Sequence, residues 1–284
     1  MTIWQALVLG IIQGLTEFIP ISSTAHLTLA GRWMGLISPE HPEQWTAFIA
    51  VIQLGTLLAV IAYFLTDIIK IISGFISGNL ALVAKKSTPD DTRIACKLGW
   101  LIIIGSIPVG VFGLAFRHVI EGSLTKNLWV IASSMAGVAL LLTLAEIVAS
   151  RKREMDQLKV SDALVVGFSQ VLALIPGSSR SGSTITGGLF SGLTREAAAR
   201  FSFLLSIPAV AASGLLELPK ALKSVSAPVP ELIVATLASA IVGYFSIAFL
   251  LRYLQRHTTF VFVGYRIVLG GVLFYLLAAQ RLAR

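Results

Sequence analysis

Pro176-Gly177-Ser178-Ser179-Arg180-Ser181-Gly182-Ser183-Thr184 puts one guanidinium and five hydroxyls inside an otherwise apolar run. An arginine at mid-bilayer costs about 2.5–3.5 kcal/mol on insertion scales, so an ionisable group there is read first as functional. The donors suit an oxyanion: a planar fork, clustered hydroxyls, and backbone amides where a helix restarts after the Pro176-Gly177 break. Snorkelling, or satisfying carbonyls freed by Pro176, is the competing account of Arg180. A second broken stretch, Gln13-Gly14-Leu15-Thr16-Glu17-Phe18-Ile19-Pro20-Ile21-Ser22-Ser23-Thr24-Ala25-His26, supplies what the first lacks, a carboxylate and an imidazole.

The composition says that the surroundings are lipid. The 284 residues are 56% hydrophobic and only 13% charged, with a mean hydropathy of +0.86, against about 25% charged in soluble domains. Several uncharged windows are long enough for a helix to cross a hydrocarbon core of about 30 Å, and too long for barrel strands. An all-α polytopic membrane protein follows. The net charge of +8 does not argue for nucleic acid, because the bases sit in short loops between apolar runs, as the positive-inside rule requires. The single cysteine, Cys96, excludes an internal disulfide and a cysteine metal cluster. The amino terminus, apolar with no basic region ahead of it, does not read as a removable signal peptide.

Working outward, residues 1–31 form two short apolar pieces broken around Glu17 and Pro20, and residues 163–194 repeat that pattern around Pro176-Gly177. Neither piece spans alone, so each pair is read as a re-entrant helical hairpin, tolerable only where protein or water surrounds its turn. Three full spans follow each hairpin: Trp45–Thr66, Leu98–Phe116 and Asn127–Ala145, then Phe201–Leu216, Leu232–Leu251 and His257–Gln280. Asp67–Asn79 reads as an interfacial continuation. Residues 1–150 and 151–284 are thus two repeats of one membrane domain, aligned by Gln13, Pro20 and Ser22-Ser23 against Gln170, Pro176 and Ser178-Ser179. An odd number of spans in each half requires the second to be inserted upside down. Thirteen of the 22 lysines and arginines then lie on the cytoplasmic side, seven outside and two in the membrane, although Arg281 and Arg284 oppose the bias. In this arrangement the two turns meet near the midplane and form one site, as in other inverted-repeat proteins.

Glu17 stands one helical turn from Gln13, and a carboxylate with an amide oxygen is a hard pair suited to Mg²⁺ or Ca²⁺. A structural ion pair between Glu17 and Arg180 is the competing account, and both can hold. His26 either caps the helix or acts as base, acid or nucleophile. Serines and threonines commonly glue membrane helices, and Gly10-xxx-Gly14 and Gly188-xxx-Gly192 read as packing motifs. Ser22 and Ser23 stand out because they begin a helix beside Glu17 and His26. Arg266 and His257 read as structural or interfacial, His41 and His118 as solvated. A carboxylate, a histidine, hydroxyls, helix N-termini and an arginine are the parts of phosphoryl transfer. No Walker or Rossmann glycine pattern implies a nucleotide, and the depth of the site favours a lipid-linked phosphate.

The first stretch carries Glu/Gln-xxx-Glu running into Pro-x-Ser-Ser-Thr-x-His, and the second carries Pro-Gly-x-Ser-Arg-Ser-x-x-Thr. On these motifs, and over essentially the whole chain, the sequence resembles the bacterial undecaprenyl-diphosphate phosphatases of the bacitracin-resistance type. It has Gln13 where many members have glutamate, and the family pattern admits either. The resemblance implies hydrolysis of the terminal phosphate of undecaprenyl diphosphate, regenerating the lipid carrier for peptidoglycan synthesis. It also implies a divalent cation, a multi-pass location in the plasma membrane with the site open to the outer face, about six spans with two re-entrant hairpins, and room for a homodimer. The expected catalytic groups are Glu17, Ser23, His26 and Arg180. Substrate is expected against Ser22, Thr24, Ser178, Ser179, Ser181 and Thr184, and the metal on Glu17 and Gln13. Ser23 is the preferred nucleophile and His26 its rival. The reading from another class is a transporter or flippase for a phosphorylated lipid or other anion.

Overall fold

The computed structural model describes residues 1–122, 126–223 and 228–280; Arg281 and Arg284, counted above among the outer bases, lie outside them. Apart from one isolated bridge between Arg153 and Leu193, the regular structure of the described residues is helical. A first hairpin, α1 (Ile3–Phe18) and α2 (Ser23–Trp33), precedes α3 (Pro42–Tyr63), α4 (Leu65–Val83), α5 (Asp90–Ala115), the short α6 (Arg117–Glu121) and α7 (Leu128–Val148). A second hairpin, α8 (Val160–Val171) and α9 (Arg180–Phe190), precedes α10 (Arg195–Lys223), α11 (Val229–Leu254) and α12 (Phe260–Ala278).

Both hairpins break where proline dictates. The residues before Pro20 and Pro176, Ile19 and Ile175, are extended, with ψ of 133° and 121°, because the proline ring disfavours the α region for its predecessor. Each chain then restarts on a serine N-cap, Ser22 or Ser179, whose hydroxyl accepts from the amide three residues on. Each cap stands nine residues after a fully buried glutamine, Gln13 or Gln170. The caps therefore shift the expected alignment by one residue: Ser22 matches Ser179, and Ser23 matches Arg180.

Close glycine contacts seat the hairpins. A Cβ on Gly10 would come within 2.3 Å of the Ala235 carbonyl on α11, and one on Gly167 within 2.3 Å of the Gly105 carbonyl on α5. Gly10 and Gly14 thus pack as expected, and Gly188 meets Ala198 of α10. Gly192 does not pack in that way. With φ of +81° it ends α9 in the left-handed conformation that glycine adopts without strain. Phe18 is fully buried and meets the Phe203 ring edge-on at 5.2 Å, which fixes the rotation of α1 and with it the direction of Glu17.

Among the described residues seven helices are long and apolar enough to cross a membrane, against about six expected spans, the seventh being α4. Its spaced Asp67, Lys70, Ser73 and Ser77 disguise an apolar helix in the sequence. Asp67 at its start pairs with Arg200 of α10 at 2.6 Å. Lys97, near the start of α5, donates to the Asp156 carbonyl before α8. Arg195 and Arg151 both pair with Glu146, so these elements share one face. Both ends of α4 lie toward that face, and α4 packs on α5 through the buried Ile71, Gly74 and Gly78.

Candidate active site

Glu17, in the last turn of α1, is 4% exposed and is held from three sides. Arg180 Nη2 donates to its Oε1 at 2.7 Å; Ser23 Oγ donates to its Oε2 at 2.7 Å; Gln13 Nε2 donates to Oε2 at 2.9 Å. Arg180 comes from the other hairpin, 163 residues away, so the two motifs close on each other. The Arg180 Nη1 and Gln13 Oε1 atoms are buried without hydrogen-bond partners among the described residues. An unmet buried polar atom costs about 1–3 kcal/mol, and here one free donor and one free acceptor flank the same carboxylate.

The caps are unusual in their backbone. Ser22 has φ of 77° and Ser179 of 68°; positions of this kind cost about 1–3 kcal/mol each in a non-glycine residue and survive only where surroundings fix them. They aim Ser23 and Arg180, the next residue in each case, at Glu17. Ser181 bridges the hairpins by donating to the Ile19 carbonyl at 3.3 Å, and it lies 3.2 Å from the Ser179 hydroxyl.

The other expected residues are placed differently. His26 Nδ1 is 2.7 Å from the Ser22 carbonyl, to which it donates, and Nε2 is 2.6 Å from the Tyr265 hydroxyl; neither nitrogen bonds to Glu17 or Ser23. Thr184 is fully buried, donates to the Arg180 carbonyl at 2.7 Å and bonds with Ser202 of α10, so its hydroxyl ties α9 to α10. Ser178 is 2% exposed; its amide donates to the Ile175 carbonyl and its own carbonyl accepts from Arg266. Thr24 is half-buried and makes no hydrogen bond with its side chain among the described residues. Thr56, which receives a long 3.5 Å contact from Gln13, and Tyr265 and Ser202 have no signal in the motifs, being ordinary polar positions inside spans, while Arg266, read as structural or interfacial, lies outside both motifs.

No group of three or more His, Cys, Asp and Glu side chains gathers among the described residues. The donors present nonetheless fit a hard cation. Gln13 Oε1 is a free buried oxygen beside a carboxylate, and Mg²⁺ commonly uses one or two protein carboxylates with waters and substrate phosphates completing its shell.

The family model for the bacitracin resistance protein BacA matches residues 6–272, which takes in both motifs and the Glu17–Arg180 contact. The chain belongs to that family. A curated relative from Syntrophobacter fumaroxidans, named undecaprenyl-diphosphatase, is 58% identical over 277 residues, covering 97% of this chain and 98% of the relative. Proteins of the same name from Chlorobaculum tepidum and Mycobacterium ulcerans are 49% and 46% identical, covering 95% and 100% of this chain and 95% and 99% of theirs. The resemblance read from the two motifs thus extends to whole-length relatives.

Proposed function

We propose that this integral membrane protein hydrolyses undecaprenyl diphosphate to undecaprenyl phosphate and inorganic phosphate at the centre formed by Gln13, Glu17, Ser23 and Arg180, recycling the carrier and conferring bacitracin resistance. One observation carries the reading: a serine hydroxyl 2.7 Å from a carboxylate that is itself paired with an arginine holding a free donor. A nucleophile, its base within hydrogen-bond reach, and a group for the anion are what covalent phosphoryl transfer requires.

In the mechanism proposed, the diphosphate competes with Glu17 for Arg180, and Nη1 takes a phosphate oxygen. Ser23 Oγ attacks the terminal phosphorus and passes its proton to Glu17 Oε2. The bond from that phosphorus to the bridging oxygen breaks, and undecaprenyl phosphate leaves. Water then cleaves the phosphoserine, releasing phosphate and restoring Ser23. His26, engaged at both nitrogens, orients the turn through the Ser22 carbonyl and does not attack. Glu17 and Gln13 would hold a divalent cation, which neutralises charge where a carboxylate faces a diphosphate.

The proposal includes two inverted repeats, 1–150 and 151–284. It is supported by α1 lying on α11 of the second half while α8 lies on α5 of the first, through glycines that each stand three residues before a buried glutamine. The face bearing Arg153, Arg195 and Arg200 is taken as cytoplasmic in the bacterial plasma membrane, which opens the first hairpin to the outside. Purified protein in vesicles carrying undecaprenyl diphosphate tests the reading: released phosphate supports it, and intact lipid moved between leaflets without phosphate release would make the chain a transporter.

A further inference from the structure

Arg266 lies at no interface. It is fully buried in α12, and every hydrogen bond it makes goes to a main-chain carbonyl. Nε donates to Met135 at 3.2 Å and Nη2 to Ser134 at 3.5 Å, both on α7. Nη1 donates to Pro20 in the first hairpin's turn at 3.2 Å. Nη2 also donates to Gly177 at 3.1 Å and Ser178 at 3.0 Å in the second turn. A single guanidinium therefore grips both hairpin turns and fastens them to α7. Lysine cannot reproduce this, since its compact ammonium lacks the planar fork that reaches several acceptors at once.

The gripped carbonyls immediately precede the residues that do the chemistry. Pro20 stands two residues before the cap Ser22 and three before Ser23; Ser178 stands next to the cap Ser179 and two before Arg180. No peptide in the described chain is cis, and in a trans peptide unit the carbonyl and amide point opposite ways. Holding the Ser178 carbonyl toward Arg266 thus turns the Ser179 N–H away from it. The caps are held at positive φ, a conformation that needs outside fixing; Arg266 anchors the chain leading into both, through the carbonyl next to Ser179 and the one two residues before Ser22, while His26 holds the Ser22 carbonyl itself. Gly182 completes the seat, because a Cβ there would lie 3.2 Å from Arg266 Nη1 and from the Ser179 side chain.

We infer that Arg266 is the positioning residue that sets the two hairpin turns in register, so that Ser23 and Arg180 reach Glu17 together; it does so without touching substrate. The inference rests on the phosphatase reading for its kinetic consequence, not for its structural one. It predicts that Arg266→Lys, which keeps the charge but loses the fork, lowers kcat about 100-fold while KM stays within about threefold, as expected for a misplacement of about 1 Å. Amide hydrogen exchange should accelerate in residues 19–23 and 176–180 together. Gly182→Ala, which leaves the arginine in place but crowds it, should show the same pattern more weakly and stands in if the lysine variant does not fold. Unchanged kcat, a KM rise with kcat intact, or faster exchange in only one turn would overturn the clamp. If wild-type protein released no phosphate, the phosphatase reading would fall, and the paired exchange measurement would still decide whether Arg266 couples the turns.

Discussion

Replacing Glu17 by alanine removes more than a base, because it strands the Arg180 guanidinium, whose side chain is only 14% exposed. Breaking one half of a buried pair costs about 3–5 kcal/mol, so Glu17→Ala should fold poorly, and Glu17→Gln is the cleaner probe. With the amide still filling the space, kcat should fall by about 10²–10⁴-fold, the usual worth of a positioned general base, with thermal stability nearly retained. Ser23→Ala should reduce kcat to background with little change in KM; a change confined to KM would make Ser23 a binding group. Tyr265→Phe removes one hydrogen bond to His26 and should cost about 1 kcal/mol of stability while most of kcat survives, whereas an equal loss of kcat to that of Ser23→Ala would restore His26 as the attacking group. These residues differ in how far they were legible. Glu17, Ser23 and Arg180 stand in short motifs whose chemistry is costly in lipid. Thr184 carries the same motif signature, yet its hydroxyl turns into the α9–α10 packing, because a hydroxyl on a membrane helix serves a neighbouring carbonyl as readily as a ligand.

The helices carry predictions of their own. Gly10 and Gly167 permit backbone contact between each hairpin and its span, so Gly10→Val and Gly167→Val should each destabilise by about 1–3 kcal/mol or more through overpacking. Gly110 of α5 has open space where a Cβ would go, and Gly110→Ala should be neutral or stabilising by up to about 1 kcal/mol; a melting series over the three variants checks the contrast. Before α7, Lys126 is buried, with Nζ donating to Thr46 Oγ1 and to the carbonyls of Glu121 and Gly122. Burial pulls its ammonium down to about 8, opposed by Glu43 and Glu121. Between pH 8 and the ordinary 10.5 the folded protein releases this proton while the unfolded chain keeps it, so this group makes the protein more stable as pH rises through that window. Lys126→Met should flatten that part of the melting profile. Helix existence was legible from hydropathy and the turns from proline, and α4 read as interfacial; its full length to Val83 was not legible, because its spaced polar positions hide how apolar the helix is.

For the molecule as a whole, the proposed inversion fixes which loops share a side. Single cysteines at Ser87 and Asp156 should label from one side of the membrane and one at Glu40 from the other; labelling of Ser87 with Glu40 would mean that α4 crosses. The proposed repeat reads in the sequence as two matching breaks in hydropathy, while the correspondence of the serine caps does not, since the prolines are offset by one residue from the caps. The central claim is that two half-sites, each incomplete, meet as one phosphatase centre across the two halves of the chain. It is tested most directly by phosphate release from undecaprenyl diphosphate in detergent, with and without chelator, for wild type and Arg180→Ala side by side. The account predicts metal-dependent release by the wild type and its loss in Arg180→Ala and, because stranding the buried Glu17 carboxylate weakens the fold, an equal loss in Arg180→Gln, whose amide can still donate to Glu17. Near-normal release by Arg180→Ala would contradict it.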